Sequence, residues 1–453
     1  MTQQKTDKMP ITISEFNGEP AIVAFKNSVE SGTNTISTVK IETKDKTGVI
    51  ASWGKSNNYP QLILKSARKN SSATRGISFS RKAHYGSGFQ LVKNESNDAG
   101  KKTPIVVPIN TIPEIAKFFR ESKMNHFFLE IIADLEWFSI AFPEYILTEN
   151  FEKITRVKRQ RAAWCRFEAQ NIQNGLIENV YISQKFGDGA VDLTSEYAET
   201  IPHVDPYWSV DEVREYCRKN NIQKFIRPSM QPLIDEPYYP ISEWHSIYES
   251  GWLDVANSVP SLKKALFENQ MSIKYMIEID EQYFENIYSQ EWKTMKVEER
   301  KTIRQTLVES INSSLVGNEK AGKSIQSMML KGADGKQYSA IKITPIDDKF
   351  KDGSYLPEAE AANSEILVAQ GVDSSLIGGS GIPGGNGSGS GSDKREAFTI
   401  HQALKKTDRE ITLETFYFIR DFNKWDATLD GIFENTILTT LDANPTGTKS
   451  ATT

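Results

Sequence analysis

The most apolar stretch of the chain runs from His126 to Phe142, HFFLEIIADLEWFSIAF. It could in principle belong to a membrane or to a protein core. A bilayer span needs about 20 consecutive apolar residues with few or no charges. Here Glu130, Asp134 and Glu136 interrupt the run, and each carboxylate would be costly in hydrocarbon. The stretch therefore reads as a buried helix in a water-soluble core. Phe128, Ile131, Ile132, Leu135 and Phe138 recur at steps of three and four, which makes one apolar face. One long helix is expected, starting at Pro113 and closed by Pro143.

The remaining composition agrees with a folded core. Hydrophobic residues make up 38% and charged residues 25% of 453 residues, which excludes wholesale disorder and suggests about three structural units. Lys+Arg 54 against Asp+Glu 59 leaves −5. That mild acidity argues against coating nucleic acid by bulk charge, and leaves open a protein that lets nucleic acid pass. Cys165 and Cys217 are far apart, and His84, His126, His203, His245 and His401 are scattered. No CxxC, CxxxH or HExxH spacing occurs, so neither a zinc site nor a disulfide framework is expected, and no cofactor. The opening MTQQKTDKMP has no apolar core, so no secretory signal is read there. A soluble intracellular protein in a reducing compartment is expected.

Along the chain, residues 1–35 read as a loose, polar arm. Tyr59 to Arg81 reads as one helix opened by Pro60. Between Gln61 and Val92 lie Lys65, Arg68, Lys69, Arg75, Arg81 and Lys82, with no acid. This is either a solvated helix face or an interface with an acidic neighbour or phosphate. Asn174-Gly175 predicts a hairpin, with the basic run Lys153–Arg166 on its first strand. Residues 187–240 read as irregular, except for a helix at Val210–Asn220 capped by Ser209. Ser242 opens a helix whose stripe carries Trp244, Ile247, Tyr248, Trp252, Val255 and Val259, continuing past Pro260 to Gln270. Two tryptophans on one stripe suggest a buried or interface face.

Further helices are expected at Val297–Val316 and at Ser354–Gln370, the latter stopped by Gly371. A strand is expected at Ser272–Ile279. Residues 378–391, GGSGIPGGNGSGSG, read as a flexible loop. Asp393–Asn423 is a last helical block, with a capping box at Thr407 and Glu410 that would divide it in two. The end after Asn444 reads as disordered.

Gly317–Ser324, GNEKAGKS, matches the phosphate-cradling G-x-x-x-x-G-K-[ST] pattern. A working site needs a buried strand before it and a helix N-terminus after it. Here a helix precedes, and a hairpin pattern around Ala333-Asp334-Gly335 follows. The motif therefore reads as a structural turn. Asp347-Asp348, Glu358 and Glu360 read as solvated charges. The residues alone describe a multi-helix α+β protein with no catalytic or metal constellation.

From about residue 50 to 440 the order of segments resembles the portal proteins of tailed bacteriophages. The stretches that carry this are QLILKSARKNSSATRGISFSRKAHYGSGF after Tyr59-Pro60, PYYPISEWHSIYESGWLDVANSVPSLKKALFENQ, LVGNEKAGKSIQSMML, AEAANSEILVAQGVDSSLIGG and GSGSDKREAF.

The resemblance implies a head–tail connector: a ring of commonly twelve copies at one capsid vertex, with no enzymatic activity. It implies an α+β subunit with a flexible arm (1–35), a wing (36–240), a stem helix (241–271) and a clip (272–346). A returning stem or tunnel helix with the Gly/Ser loop (347–392), crown helices (393–443) and a disordered tail (444–453) follow. Double-stranded DNA would be packaged and ejected through the ring, bound weakly and without sequence preference. The implied partners are further copies of itself, the terminase large subunit, a head–tail adaptor, and the major capsid and scaffold proteins, with no membrane. The implied location is the virion, after assembly in the bacterial host cytoplasm. Candidate DNA-tunnel contacts are Lys394, Arg395, Lys320 and Lys323. Candidate subunit-interface residues are Trp244, Trp252, Lys65, Arg68 and Lys69. The other readings are a different virion assembly protein, or a nucleotide-binding protein built on the P-loop pattern.

Overall fold

Each carboxylate in the apolar run has a basic partner: Glu130 lies near His126, Asp134 meets Arg159 and Glu136 meets Lys405. The computed structural model describes residues 12–16, 19–23, 38–42, 47–96, 102–188, 191–193, 195–270, 275–315, 329–331, 335, 337–345, 356–377, 391–438 and 448–450. The chain divides into two compact units, Met1–Asn257 with Leu356–Thr453, and Ser258–Tyr355.

The first unit begins with two hairpins, β1 (Thr12–Phe16) with β2 (Glu19–Val23) and β3 (Thr38–Glu42) with β4 (Thr47–Ala51). The β1–β2 pairing lies inside the expected loose arm. Helices α1 (Tyr59–Ala67) and α2 (Ser71–Tyr85) follow. The single helix expected over 59–81 is broken at Asn70, whose side chain accepts from Ala73 N at 2.8 Å and caps a new helix. Strands β5 (Phe89–Ser96) and β6 (Lys102–Val106) pair antiparallel.

The helix expected from Pro113 to Pro143 is instead three elements. These are α3 (Pro113–Glu121), α4 (Met124–Phe138) and the strand β7 (Ile140–Leu147). Lys123 and Ser139 both adopt left-handed backbone, at φ 49 and 57, and make the two breaks. Both faces of β7 are buried, which is why its sequence looks like a continuation of the helix. Ile140 and Phe142 enter one core cluster, whereas Ala141, Tyr145 and Leu147 enter the other. Pro143 does not stop this strand. Its carbonyl accepts from Arg227 N, so its missing N–H would point toward the gap between β12 (Lys224–Ile226) and β13 (Ser229–Met230).

The basic run 153–166 also divides. β8 (Ile154–Gln160) pairs with β7 on the edge opposite β12. A 3-10 turn at Ala162–Trp164 then leads into β9 (Cys165–Phe167). Only β9 pairs with β10 (Asn179–Ser183) across the hairpin loop that carries Asn174 and Gly175. β11 (Ala198–Pro202) adds a third strand beside β10. The region expected to be irregular thus holds β11, β12 and β13. Its prolines end β11 and separate the last two strands. Helix α5 (Val210–Asn220) carries the expected Ser209 cap as a full capping box with Glu212.

The stripe expected from Trp244 to Val259 is interrupted. A 3-10 turn at Glu243–His245 and the short α6 (Ser246–Glu249) end at Gly251, which sits at φ 82. Helix α7 (Trp252–Gln270) restarts with a new phase and holds Pro260 in its interior. Among its described side chains Leu253 and Ala256 are the buried ones, and Val255 is exposed.

The second unit holds β14 (Tyr275–Ile279), α8 (Glu281–Tyr288), α9 (Gln290–Thr294), α10 (Val297–Leu315), β15 (Met329–Lys331), β16 (Gln337–Ser339) and β17 (Ile341–Pro345). β14 pairs with β17, and β15 with β16. Its core centres on Trp292, stacked on Phe284 at 4.8 Å between ring centroids. The Trp292 indole N–H donates to Glu281, which also takes both hydrogen bonds from Arg304.

The chain re-enters the first unit through α11 (Leu356–Ala369), with Gly371 at φ 61 just beyond its end. The last helical block is two helices, α12 (Gly391–Leu404) and α13 (Lys406–Phe422). The break falls at Lys405, and the expected Thr407–Glu410 capping box is not used. Thr407 lies inside α13. β18 (Leu429–Phe433) pairs with β5, and β19 (Thr436–Leu438) with β20 (Thr448–Ser450). Residues 448–450, expected to be disordered, are therefore a strand. The rest of that tail and residues 378–390 of the Gly/Ser loop lie outside the described residues.

Helix α13 packs into the same cluster as α4, through Leu413, Phe416, Phe418, Ile419 and Phe422. The segment that the resemblance assigns to a crown thus shares its core with residues of the wing.

Candidate functional site

Sequence reasoning singled out tryptophans and lysines; the structure distributes them unequally. Trp244 is only 5% exposed. Its indole N–H donates to the Glu136 carbonyl at 3.1 Å, and its ring meets Trp137 edge-on at 5.7 Å. It is used inside its own subunit, which leaves little of it to present to a neighbour. Trp252 is half-buried against the same cluster. Lys65, Arg68 and Lys69 are exposed at the end of α1. Lys394 is exposed and Arg395 half-buried in the first turn of α12. That helix packs on α2 through Phe398 and His401 against Phe79, at 6.3 and 5.0 Å between ring centroids. Lys320, Lys323 and the whole of Gly317–Ser324 lie outside the described residues. Their surroundings do follow the sequence reading, with helix α10 before them and the β15–β16 hairpin after.

What the sequence reading missed is a buried ionic cluster in the first unit. Glu136 on α4 receives the Lys405 ammonium at 2.9 and 3.0 Å and approaches His84 Nδ1 on α2 at 2.9 Å. The same ammonium reaches Asp408 Oδ2 at 2.9 Å. Gln231 donates to Asp408 Oδ1 at 2.6 Å, and His84 Nε2 lies 3.0 Å from the Thr412 hydroxyl. Next to it, Arg409 donates to the carbonyls of Ala83 and His84 at the end of α2. A cavity of about 50 Å³ adjoins the cluster, bordered by Ser139, Gln231, Glu243 and Gln370. It is large enough for one or two waters.

The electrostatics are those of a closed lock. Burial pushes the Glu136 carboxyl up, but the His84 hydrogen bond and the Lys405 charge outweigh it and hold the group below its usual range. Burial lowers Lys405, yet Glu136 and Asp408 outweigh that and raise it.

His84, Glu136 and Asp408 are the one group among the described residues whose donor atoms converge closely enough for a metal, within 4.8 Å. The Lys405 ammonium already bridges both carboxylates there, so the donor set fits an internal cation better than a metal. A second buried pair ties α4 to β8: Arg159 donates to both oxygens of Asp134, at 2.6 and 2.5 Å. Asp134 and Glu136, the acids that break the apolar run, are thus the anchors of α4. Acids inside an apolar stretch were the available signal, but their partners lie far away in sequence.

The Thr412 hydroxyl that meets His84 is fully buried, as is His84 itself. Burial raises the Cys165 thiol well above its ordinary value and pushes Cys217 up to about 12. Among the described residues no helix is long and apolar enough to cross a membrane.

The α+β fold is similar to that of chains in gene transfer agent particles. A chain of the virion of a native gene transfer agent particle superimposes with a TM-score of 0.55, covering 87% of this chain and 86% of that one at 14% identity. A chain from the neck of the native particle, computed with C12 symmetry, gives 0.53 at 13% identity and 85% of each chain. One from the neck of the empty particle, computed with C6 symmetry, gives 0.51 at 14% identity and 84% of each. At such identities the likeness is one of fold. No protein-family model matches the chain, and no curated protein matches it.

Proposed function

We propose that the chain is a portal-type subunit that assembles into a closed ring of about twelve copies at one vertex of a capsid. The observation that carries this reading is the shared fold over about 85% of both chains with neck chains, one of them from a particle neck computed with C12 symmetry. A ring of identical subunits needs heterologous contacts that close.

Ser258–Tyr355 forms a compact unit of its own, which supports reading 272–346 as the clip. The helices that enter and leave that stretch, α7 and α11, suit the two stem helices. The first unit would then carry wing and crown together. In this reading the ring is a conduit for double-stranded DNA, and a terminase, an adaptor and capsid and scaffold proteins dock on it. The protein does no chemistry, since the motor supplies the energy. A conduit should hold DNA weakly, because tight phosphate contacts would brake it, and a net charge of −5 agrees with that. Lys394 and Arg395 are the proposed tunnel contacts.

Negative-stain imaging of the purified protein, with light scattering, tests the reading. A closed ring with a central channel is expected. A monodisperse monomer at micromolar concentration would overturn it. Replacing Lys394 and Arg395 by Ser should leave the ring intact and impair DNA packaging or retention in a particle assay.

A further inference from the structure

The charges of the first unit are sorted into two surfaces of opposite sign. On α1, α2 and the turn between them, Lys65, Arg68, Lys69, Arg75 and Lys82 are exposed and Arg81 is half-buried. Among the described residues none of the six has a carboxylate within 4.0 Å, whereas other exposed bases such as Lys153, Lys158 and Arg304 have one. Between Gln61 and Val92 there is no acid at all. The second surface is the reverse. From Pro228 to Leu262 the chain has no Lys or Arg and carries Asp235, Glu236, Glu243, Glu249 and Asp254. Four of these are exposed, and Glu236 is half-buried. The one base among them, His245, is held below its ordinary pKa by burial, so it adds no charge at neutral pH.

The two surfaces do not neutralise each other within the subunit. Helix α1 lies beside α6 and α7, fixed by Tyr59 to His245 at 2.8 Å and by Asn257 to the Ser66 carbonyl at 3.0 Å. Yet no ion pair joins the strips among the described residues. One residue is about 100° of helix rotation, so Ser66 can face α7 while Lys65 and Arg68 face elsewhere. A subunit that presents two complementary surfaces, with no ion pair between them among the described residues, has what a heterologous contact needs, which is two different patches that fit each other.

We propose that the basic α1–α2 surface of one copy docks against the acidic 235–254 surface of the next copy, and that this pairing sets the register of the ring. The inference rests on the ring reading and names its lateral contact. It replaces the two tryptophans as the recognition elements.

The test is charge reversal with complementation. One variant carries Lys65→Glu, Arg68→Glu, Lys69→Glu, Arg75→Glu and Lys82→Glu, which leaves Arg81 as the one base among five acids. The other carries Asp235→Lys, Glu243→Lys, Glu249→Lys and Asp254→Lys, which leaves Glu236 as the one acid among four bases. All nine side chains are exposed, and melting curves within a few degrees of the unaltered protein check the fold of each. Each variant alone places like charges at every contact, and self-association should weaken by on the order of a hundredfold or more. An equimolar mixture can alternate the two so that every contact is again opposite in sign, and rings should reappear. Rings from either variant alone, or no rings from the mixture of two folded variants, would overturn the proposal. The unaltered protein in the same experiment separates the two readings. If it forms no ring, the portal reading fails; if it does and the variants behave as it does, only this inference fails.

Discussion

Replacing Lys405 by methionine keeps the length and apolar stem of the side chain and removes only the charge that joins Glu136 to Asp408. The Lys405 side chain is 13% exposed and the Glu136 side chain 10%. The change therefore strands two carboxylates in a region that water reaches poorly. Breaking a buried pair by removing one partner costs about 3–5 kcal/mol, most of it the penalty on the charge left behind. The first unit has roughly 350 residues. At ~2.1 cal/mol/K per residue its unfolding entropy is about 0.7 kcal/mol/K, so the melting temperature should fall by about 4–7 °C.

The pH dependence has a definite sign. Glu136 is held below 4.5 in the folded state, so its contribution is present above that pH and is lost as pH falls through the folded value. Lys405 is raised above 10.5, so its contribution is present below that pH and is lost as pH rises past it. The difference between the two proteins should hold steady between about pH 5 and pH 10 and shrink in acid. Calorimetry or urea unfolding across that range measures it. Adding Glu136→Gln to Lys405→Met should recover at least half of the loss. A drop under 1 °C at pH 7, or a difference that grows in acid, would refute the argument.

Gly86→Ala should destabilise by about 2–4 kcal/mol, because a Cβ there would lie 2.2 Å from the Glu434 carbonyl and φ is 58; chemical denaturation measures it. Burial lowers His203 to about 4 while its ring nitrogen bonds the Ile177 carbonyl. Stability should therefore fall by about 3 kcal/mol as pH drops from 6.5 to 4, and His203→Gln should flatten that slope in urea melts at several pH values. Ser209→Ala removes the cap of α5 and should cost about 1 kcal/mol, seen as a shift in the urea midpoint at unchanged slope.

Features whose causes are local were legible in the sequence. Ser209 and Glu212 are three residues apart, so the cap of α5 needs no distant partner. Gly371 tolerates the left-handed backbone that ends α11, and Gly335, at φ 78, lies between the paired strands β15 and β16. The segregation of bases into 61–92 could likewise be read directly. The breaks at Asn70, Lys123 and Gly251 were harder. An amphipathic period says which face is apolar, but it does not record a change of phase between two short helices. The run 126–142 shows the limit well. A strand buried on both faces and a helix in the core demand the same residue types, and only the sheet around β7 separates them.

The partners of buried charges were decided by tertiary structure alone. Glu136 meets Lys405 and His84 because α2, α4 and α13 pack together, from positions 269 and 52 residues away. Trp244 faces inward because the Glu136 carbonyl, left at the end of α4, accepts its indole N–H. Local sequence sets helices, turns and charged strips, because their interactions span a few residues. Which faces meet, and therefore which charge is locked inside and which stays outside for another copy, depends on the packing of the whole unit.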